Sequence, residues 1–151
     1  MIYIYTDGSS RGNPGPGGYG VILKKKSYTK EFCQGYRKTT NNRMELLSVI
    51  VGLEAIKEER QEVAVYSDSK YVVDAVEKGW LKRWIKINFE NKKNSDLWKR
   101  FWVVYQKHNV HFYWIKGHNG HKENERCDRL AVASSYGELI IDEYYEKYVS
   151  I

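Results

Sequence analysis

Cysteine is scarce: Cys33 and Cys127 are the only two in 151 residues, far apart and outside any CxxC pair. That excludes a disulfide framework and a zinc knuckle, and it fits a reducing cytoplasm. Long apolar runs are missing, so no segment is expected to cross a bilayer, and the amino terminus shows no basic, apolar, small-residue leader. There is no low-complexity tract, repeat array or internal boundary. The HExxH arrangement of zinc hydrolases is absent too, because His118 and His121 stand in a Gly-rich turn without a soft partner. What is left is a cytoplasmic chain of one domain, 1–151, with no membrane attachment and no obligate protein partner. No extended apolar seam asks for a second subunit, so a monomer is expected. At this length a fold buries roughly 70% of the surface its unfolded chain exposes, so no staple is needed.

What the chain does have is positive charge, +6 with a pI near 9.2, which favours a polyanionic partner. The densest basic stretch is GWLKRWIKINFENKKN at 79–94, where Lys82, Arg83, Lys86, Lys92 and Lys93 alternate with Trp80, Trp84 and Phe89. That mixture suits phosphates and stacked bases. Equally, Trp80 and Trp84, four apart on a short helix, can pack on the body of the domain while the cations face water.

Period-two alternation in IYIYTD predicts a first strand, and RGNPGPGG ends it. YGVILKKK and YTKEFCQGY read as a hairpin around Ser27, completing an antiparallel meander. Met44, Leu47, Val51 and Ala55 recur at helical spacing, with Asn41 or Asn42 as the N-cap and an end near Arg60. EVAVYSDS is a strand, SKYVVDAVEK a helix, DLWKRFWVVYQKH an amphipathic helix and VHFYWIK the last strand. ENERCDRLAVASS is the final helix, with Cys127, Leu130, Ala131 and Ser134 facing inward. The Tyr-rich tail after Gly137 is ambiguous. Strands alternating with helices after a meander imply an α/β layer structure with a mixed sheet.

YTDGS at 5–9 is echoed by YSDSK at 66–70, so two apolar strands end on a carboxylate in one local pattern. Parity puts Asp7 on the face of Tyr3 and Tyr5, and Asp68 on the face of Ala64 and Tyr66. If the strands are parallel neighbours, their ends lie about 4.8 Å apart, at the carboxyl edge where α/β sheets bind ligands. Two bare carboxylates so close repel unless a proton or a cation joins them. An Asx turn or helix cap explains one such aspartate well and the pair less well. Glu45 and Asp128 lie on helices with no cation three or four residues away on their own helix. Taken alone, Glu45 fits a capping box with Asn42, and Asp128 fits an exposed helical face; only convergence of all four makes a site. Hard oxygen ligands without a Cys/His cage favour Mg²⁺ or Mn²⁺.

YTDGSSRGNPGPGGYG, TTNNRMEL, YSDSKYV and KGHNGHKENERCDRLA, in this order across nearly the whole chain, resemble the type 1 ribonuclease H family. The resemblance implies a ribonuclease H-like three-layer fold, a five-stranded mixed sheet flanked by helices, with 79–94 as a basic protrusion. It implies endonucleolytic hydrolysis of the RNA strand of an RNA/DNA hybrid, leaving 5′-phosphate and 3′-hydroxyl ends. Two metal ions about 4 Å apart, Mg²⁺ or alternatively Mn²⁺, perform that chemistry in such sites. By the same resemblance Asp7, Glu45, Asp68 and Asp128 are the catalytic metal ligands, and His118 assists turnover from its loop. Asn13, Asn41 and Asn42 match positions that read the hybrid's minor groove, and Thr40 a phosphate contact on the DNA strand. Ser10 and Lys70 depart from residues common in bacterial relatives, and Lys70 can add a phosphate contact. Trp80, Lys82, Arg83, Trp84 and Lys86 complete the expected substrate surface, in a segment between Tyr71 and Asp96 that is shorter than is common.

Overall fold

The computed structural model describes residues 1–117 and 120–149. Its elements are β1 (Ile2–Ser10), β2 (Gly15–Lys25), β3 (Tyr28–Thr39), α1 (Asn41–Glu54), β4 (Glu62–Ser67) and α2 (Lys70–Glu77). Then come α3 (Trp80–Lys86), α4 (Ser95–Tyr105), β5 (Asn109–Trp114), α5 (Lys122–Ser135), β6 (Leu139–Ile140) and a π-helical turn at Tyr145–Val149. The strands form one mixed sheet in the order β5-β4-β1-β2-β3-β6. β1, β2 and β3 are the expected antiparallel meander, whereas β4 runs parallel to β1 and β5 parallel to β4.

The sheet has six strands rather than five. The sixth comes from the tail, where Leu139 and Ile140 pair in parallel with Gly35 and Tyr36. Two residues are too short to leave a period-two signal, so the pairing was invisible in sequence. The tail is held further by charge. Asp142 accepts two hydrogen bonds from the Arg43 guanidinium, at 2.8 and 3.0 Å, and one from the Thr39 hydroxyl at 2.8 Å. Arg43, only 2% exposed, also makes a bidentate pair with Asp96 at 2.7 and 2.9 Å. α1, the start of α4 and the tail thus meet on one buried cation.

One face of the sheet packs on α1 and α4. Ile2, Ile4, Val21, Leu23, Val63, Val65 and Phe112 meet Met44, Leu47, Ile50, Leu53, Trp98 and Phe101 in the main core. The other face receives α5 over β1, β2 and β3. This gives three layers, and the alternation along β1 decides which side chain enters which layer: Ile2 and Ile4 go to the core, Tyr3, Tyr5 and Asp7 to the α5 side.

Two helix boundaries differ from expectation. α1 is capped by Thr40, whose hydroxyl accepts from the Arg43 amide at 3.2 Å, so neither Asn41 nor Asn42 is the cap. It ends at Glu54 with Ala55 as C-cap, and Arg60 stands in a left-handed turn (φ 57°) before β4. The basic segment is a short helix followed by residues with positive φ at Asn88, Phe89, Asn91 and Asn94, with Phe89 buried as its anchor.

Candidate active site

β1 and β4 pair in parallel as far as Thr6 opposite Ser67, so the next residue on each strand is a carboxylate, Asp7 and Asp68. Past that pair the strands diverge: β1 runs on to Ser10, while the Ser67 hydroxyl accepts the Ser69 amide at 3.0 Å and Ser69 caps α2. Asp68 therefore sits in the turn between β4 and α2. Asp7 is 5% exposed, and its Oδ1 accepts the Gly8 amide at 2.9 Å.

Glu45 reaches the same point from α1 because β1 carries glycine beside it. A Cβ on Gly8 would collide with the Met44 carbonyl group and the Glu45 amide, so only glycine lets the first turns of α1 settle onto the strand. Carboxylate oxygens of Asp7, Glu45 and Asp68 then lie within 4.8 Å of one another. Asp128 approaches on the opposite side. α5 packs tightly on β2, since a Cβ on Gly20 would strike the Cys127 carbonyl, and this brings Asp128 close enough for its charge to act on Asp7. Three of the four acids form the compact group, and the fourth flanks it through Asp7.

The electrostatics follow from that crowding. Burial, then the charges of Asp68 and Asp128, push the Asp7 carboxyl up to about 8. Burial, then Asp7 and Asp68, hold Glu45 well above the usual carboxylate range. No cationic side chain is paired with Asp7 or Glu45 among the described residues, and Glu45 Oε2 is buried without a hydrogen-bond partner. An acceptor left in that condition costs about 1–3 kcal/mol or more when charged. The donor set is all oxygen, clustered and anionic, which fits a hard divalent cation and not a thiolate-loving one.

Beside the acids, two asparagines lock the Gly-rich turn to the start of α1. Asn41 Oδ1 accepts from the Ser10 amide at 2.7 Å and its own amide donates to Asn13 Oδ1 at 3.1 Å. Asn41, Asn42 and Asn13 remain exposed, and Thr40 is half-buried at the cap. Lys70 is exposed with its Nζ 4.7 Å from the centre of the Trp114 ring. Lys82, Arg83 and Lys86 face solvent on α3; Trp84 is half-buried edge-on against Trp98 at 5.3 Å, and Trp80 is half-buried beside Lys78. His118 lies outside the described residues. His108 and His111 stand at the far end of β5: His108 Nδ1 accepts the Gln61 amide and His111 meets Glu62. Cys33 and Cys127 are unpaired thiols.

A family model described as RNase H matches residues 1–136. The chain belongs to the ribonuclease H family. It is 56% identical over 139 residues to the ribonuclease H of Desulforamulus reducens, covering 89% of this chain and 87% of that protein. It is 50% identical over 151 residues to that of Rippkaea orientalis, covering 96% and 92%. Among solved structures it is similar to LC9-RNase H1, described as a type 1 RNase H with the type 2 active-site motif. The TM-score is 0.81 at 31% identity, over 99% of this chain and 82% of that one. LC11-RNase H1, solved in complex with an RNA/DNA hybrid, matches with a TM-score of 0.68 at 26% identity, over 90% and 97%. Family membership makes the chain a ribonuclease H enzyme, a nuclease and a hydrolase. Among the described residues no helix is long and apolar enough to cross a membrane.

Sequence reasoning missed the residues that place the acids. Gly8 and Gly20 stood in quoted motifs, but a glycine's role in close packing shows only when its neighbour across space is known. Arg43 and Asp142, 99 residues apart, carried no local signal.

Proposed function

We propose that this enzyme cuts the RNA strand of RNA/DNA hybrids endonucleolytically at the Asp7, Glu45, Asp68 and Asp128 cluster, with divalent cations, Mg²⁺ foremost. The observation that carries this reading is the group of three carboxylates within 4.8 Å, with an unpartnered buried oxygen on Glu45. A ribonuclease H relative crystallised with a hybrid supports the substrate class. Asp7, Glu45 and Asp68 would hold divalent cations there, which would supply activation of a water and charge for the departing 3′ oxygen of a phosphodiester, so that 5′-phosphate and 3′-hydroxyl products are expected.

The chain's own groups hold and orient. Asp7, in β1 just past its last pairing with β4, and Asp68, in the turn after β4, supply two oxygens, and Glu45 adds one from α1. Asp128 borders the group from α5, where it can take part in cation binding or hold a water against Asp7. Exposed Asn13 and Asn41, tied together beside the acids, and exposed Asn42 next to them offer amides to a 2′-hydroxyl in a minor groove, the feature that separates RNA from DNA. We assign Thr40 and Lys70 to phosphate contacts, and His118 to moving a proton at the leaving group. Lys82, Arg83 and Lys86 on exposed α3 give a phosphate-binding rim, flanked by Trp80 and Trp84, whose half-burial makes them chiefly its support. The same reading has a monomer working in the reducing cytoplasm, to which two free thiols are suited.

The test is an end-labelled hybrid incubated with Mg²⁺ beside duplex RNA, duplex DNA and single-stranded RNA. Internal cleavage of the RNA strand in the hybrid alone is expected. Equal cutting of single-stranded RNA, or hybrid binding with no cleavage at any metal concentration, overturns the reading.

A further inference from the structure

Three tyrosines stand in register on adjacent parallel strands: Tyr5 on β1 opposite Tyr66 on β4, and Tyr66 opposite Tyr113 on β5. Their rings form a stacked row, with centroids 5.1 Å apart at 14° and then 5.2 Å apart at 22°. His121, the N-cap of α5, lies against two of them, 5.7 Å from Tyr5 and 6.0 Å from Tyr66. α5 covers β1, β2 and β3 on this side, so the row emerges from beneath its start toward an uncovered part of the sheet.

The row has an open end. β5 is the edge strand, Tyr113 is 47% exposed, and only its inner side meets another ring among the described residues. That end also adjoins the carboxylates. Tyr66 precedes Asp68 by two residues, at the end of β4 that leads into the turn carrying Asp68. Trp114, the next residue of β5 and on the alternate face of the strand, donates its indole N–H to the Asp68 backbone carbonyl at 3.1 Å, which ties this end of β5 to the turn that carries Asp68. At the other end of the row Lys24 lies 5.9 Å from the Tyr5 ring centre. Flat aromatic surface, with a cation at one end of the row and a site for a polyanion adjoining it, is a combination that binds unpaired bases. An aliphatic partner would gain little from a row whose ring faces already meet one another; a planar base extends the stack by one member.

We infer that Tyr113 is a stacking platform for an unpaired nucleobase at the end of the hybrid. The inference rests on the proposed hybrid substrate, and it makes the enzyme favour hybrids carrying a single-stranded extension over blunt ones. One good stack is worth on the order of tenfold in affinity.

The experiment measures binding to blunt hybrid, to hybrid with a single-stranded RNA extension and to hybrid with a DNA extension, placed at each end in turn. Cleavage is blocked by Ca²⁺ in place of Mg²⁺. Wild type should bind at least one extended hybrid about tenfold more tightly than the blunt one, and the arms show whether RNA or DNA supplies the base. Tyr113→Leu, which keeps apolar bulk without a flat face, should abolish that gain and leave blunt-hybrid affinity unchanged; Tyr113→Phe should retain it. No gain in wild type, or a gain that survives Tyr113→Leu, overturns the platform and leaves the hybrid reading standing. Equal loss on blunt and extended hybrids overturns it too, because it shows a general structural role. No binding of any hybrid by wild type overturns both readings.

Discussion

Replacing Asp7 by asparagine should stabilise the metal-free protein above neutral pH, although it removes a residue assigned to the chemistry. Asp7 is buried against Asp68 and Asp128, and its carboxyl is pushed from about 3.8 up to about 8. A carboxyl whose pKa is raised on folding keeps its proton in the folded state after the unfolded chain has lost it. Between about pH 4 and pH 8 the folded protein therefore binds more protons than the unfolded one, and stability falls as pH rises through that window. A rise of about four units bounds the effect near 6 kcal/mol at about 1.4 kcal/mol per unit. Local relaxation and water entry reduce the expected gain from Asp7→Asn to about 2–4 kcal/mol at pH 8, or roughly 4–16 °C in Tm for a chain of this size. At pH 4, where the carboxyl is already protonated, the variant and wild type should melt together. The assay is thermal unfolding in a chelating buffer from pH 4 to 9, repeated in Mg²⁺. The cation should raise the wild-type Tm at pH 8 and narrow its gap to the variant, because a ligand bound only by the folded state shifts unfolding. A variant that is less stable at pH 8, or a difference that does not change with pH, refutes the idea that carboxylate crowding is stored in the fold.

Asp68→Asn should abolish cleavage and retain hybrid binding in a mobility-shift assay; simultaneous loss of binding and of native circular dichroism would assign Asp68 to the scaffold instead. Gly8→Ala should lower cleavage by at least tenfold and cost about 1–3 kcal/mol or more in stability, since the added methyl forces α1 and Glu45 away from β1; unchanged activity would show that the contact is not needed. Arg43→Met should destabilise the protein by about 3–5 kcal/mol in urea unfolding, because Asp96 and Asp142 would be left as uncompensated carboxylates around one buried site. A cost under 1 kcal/mol would contradict that. Lys82, Arg83 and Lys86 replaced together by alanine should weaken hybrid binding and reduce the slope of log K against log salt by up to about 0.9 per lost phosphate contact; an unchanged slope would remove α3 from the interface.

Much of this was legible because the informative signals are local. Alternation puts Asp7 and Asp68 after matching apolar stretches, and strand-helix-strand order makes those strands parallel, so their convergence follows from topology even though β1 runs past Asp7 to Ser10. Asp128 and Glu45 needed the resemblance, since a helical carboxylate without a nearby cation has ordinary explanations. The cap of α1 was misplaced by one or two residues because Thr40, Asn41 and Asn42 are all good caps in sequence, and only backbone direction distinguishes them: Thr40 is extended (φ −127°, ψ 161°). The sixth strand and the Arg43–Asp142 clasp depend on a long-range return of the tail that no periodicity announces. Trp80 and Trp84 show the same limit from the other side. Their spacing was compatible with stacking or packing, and it took the position of Trp98 to show that Trp84 rests on the core.

The central claim is that Asp7, Glu45 and Asp68 hold divalent cations at the bond that breaks. Anomalous scattering from crystals of the Asp68→Asn variant bound to an RNA/DNA hybrid in Mn²⁺ tests it most directly. The account predicts manganese density touching Asp7 or Glu45 and a phosphate oxygen of the RNA strand. Manganese found only at other surface carboxylates, or a hybrid seated with its RNA backbone away from Asp7, would contradict it.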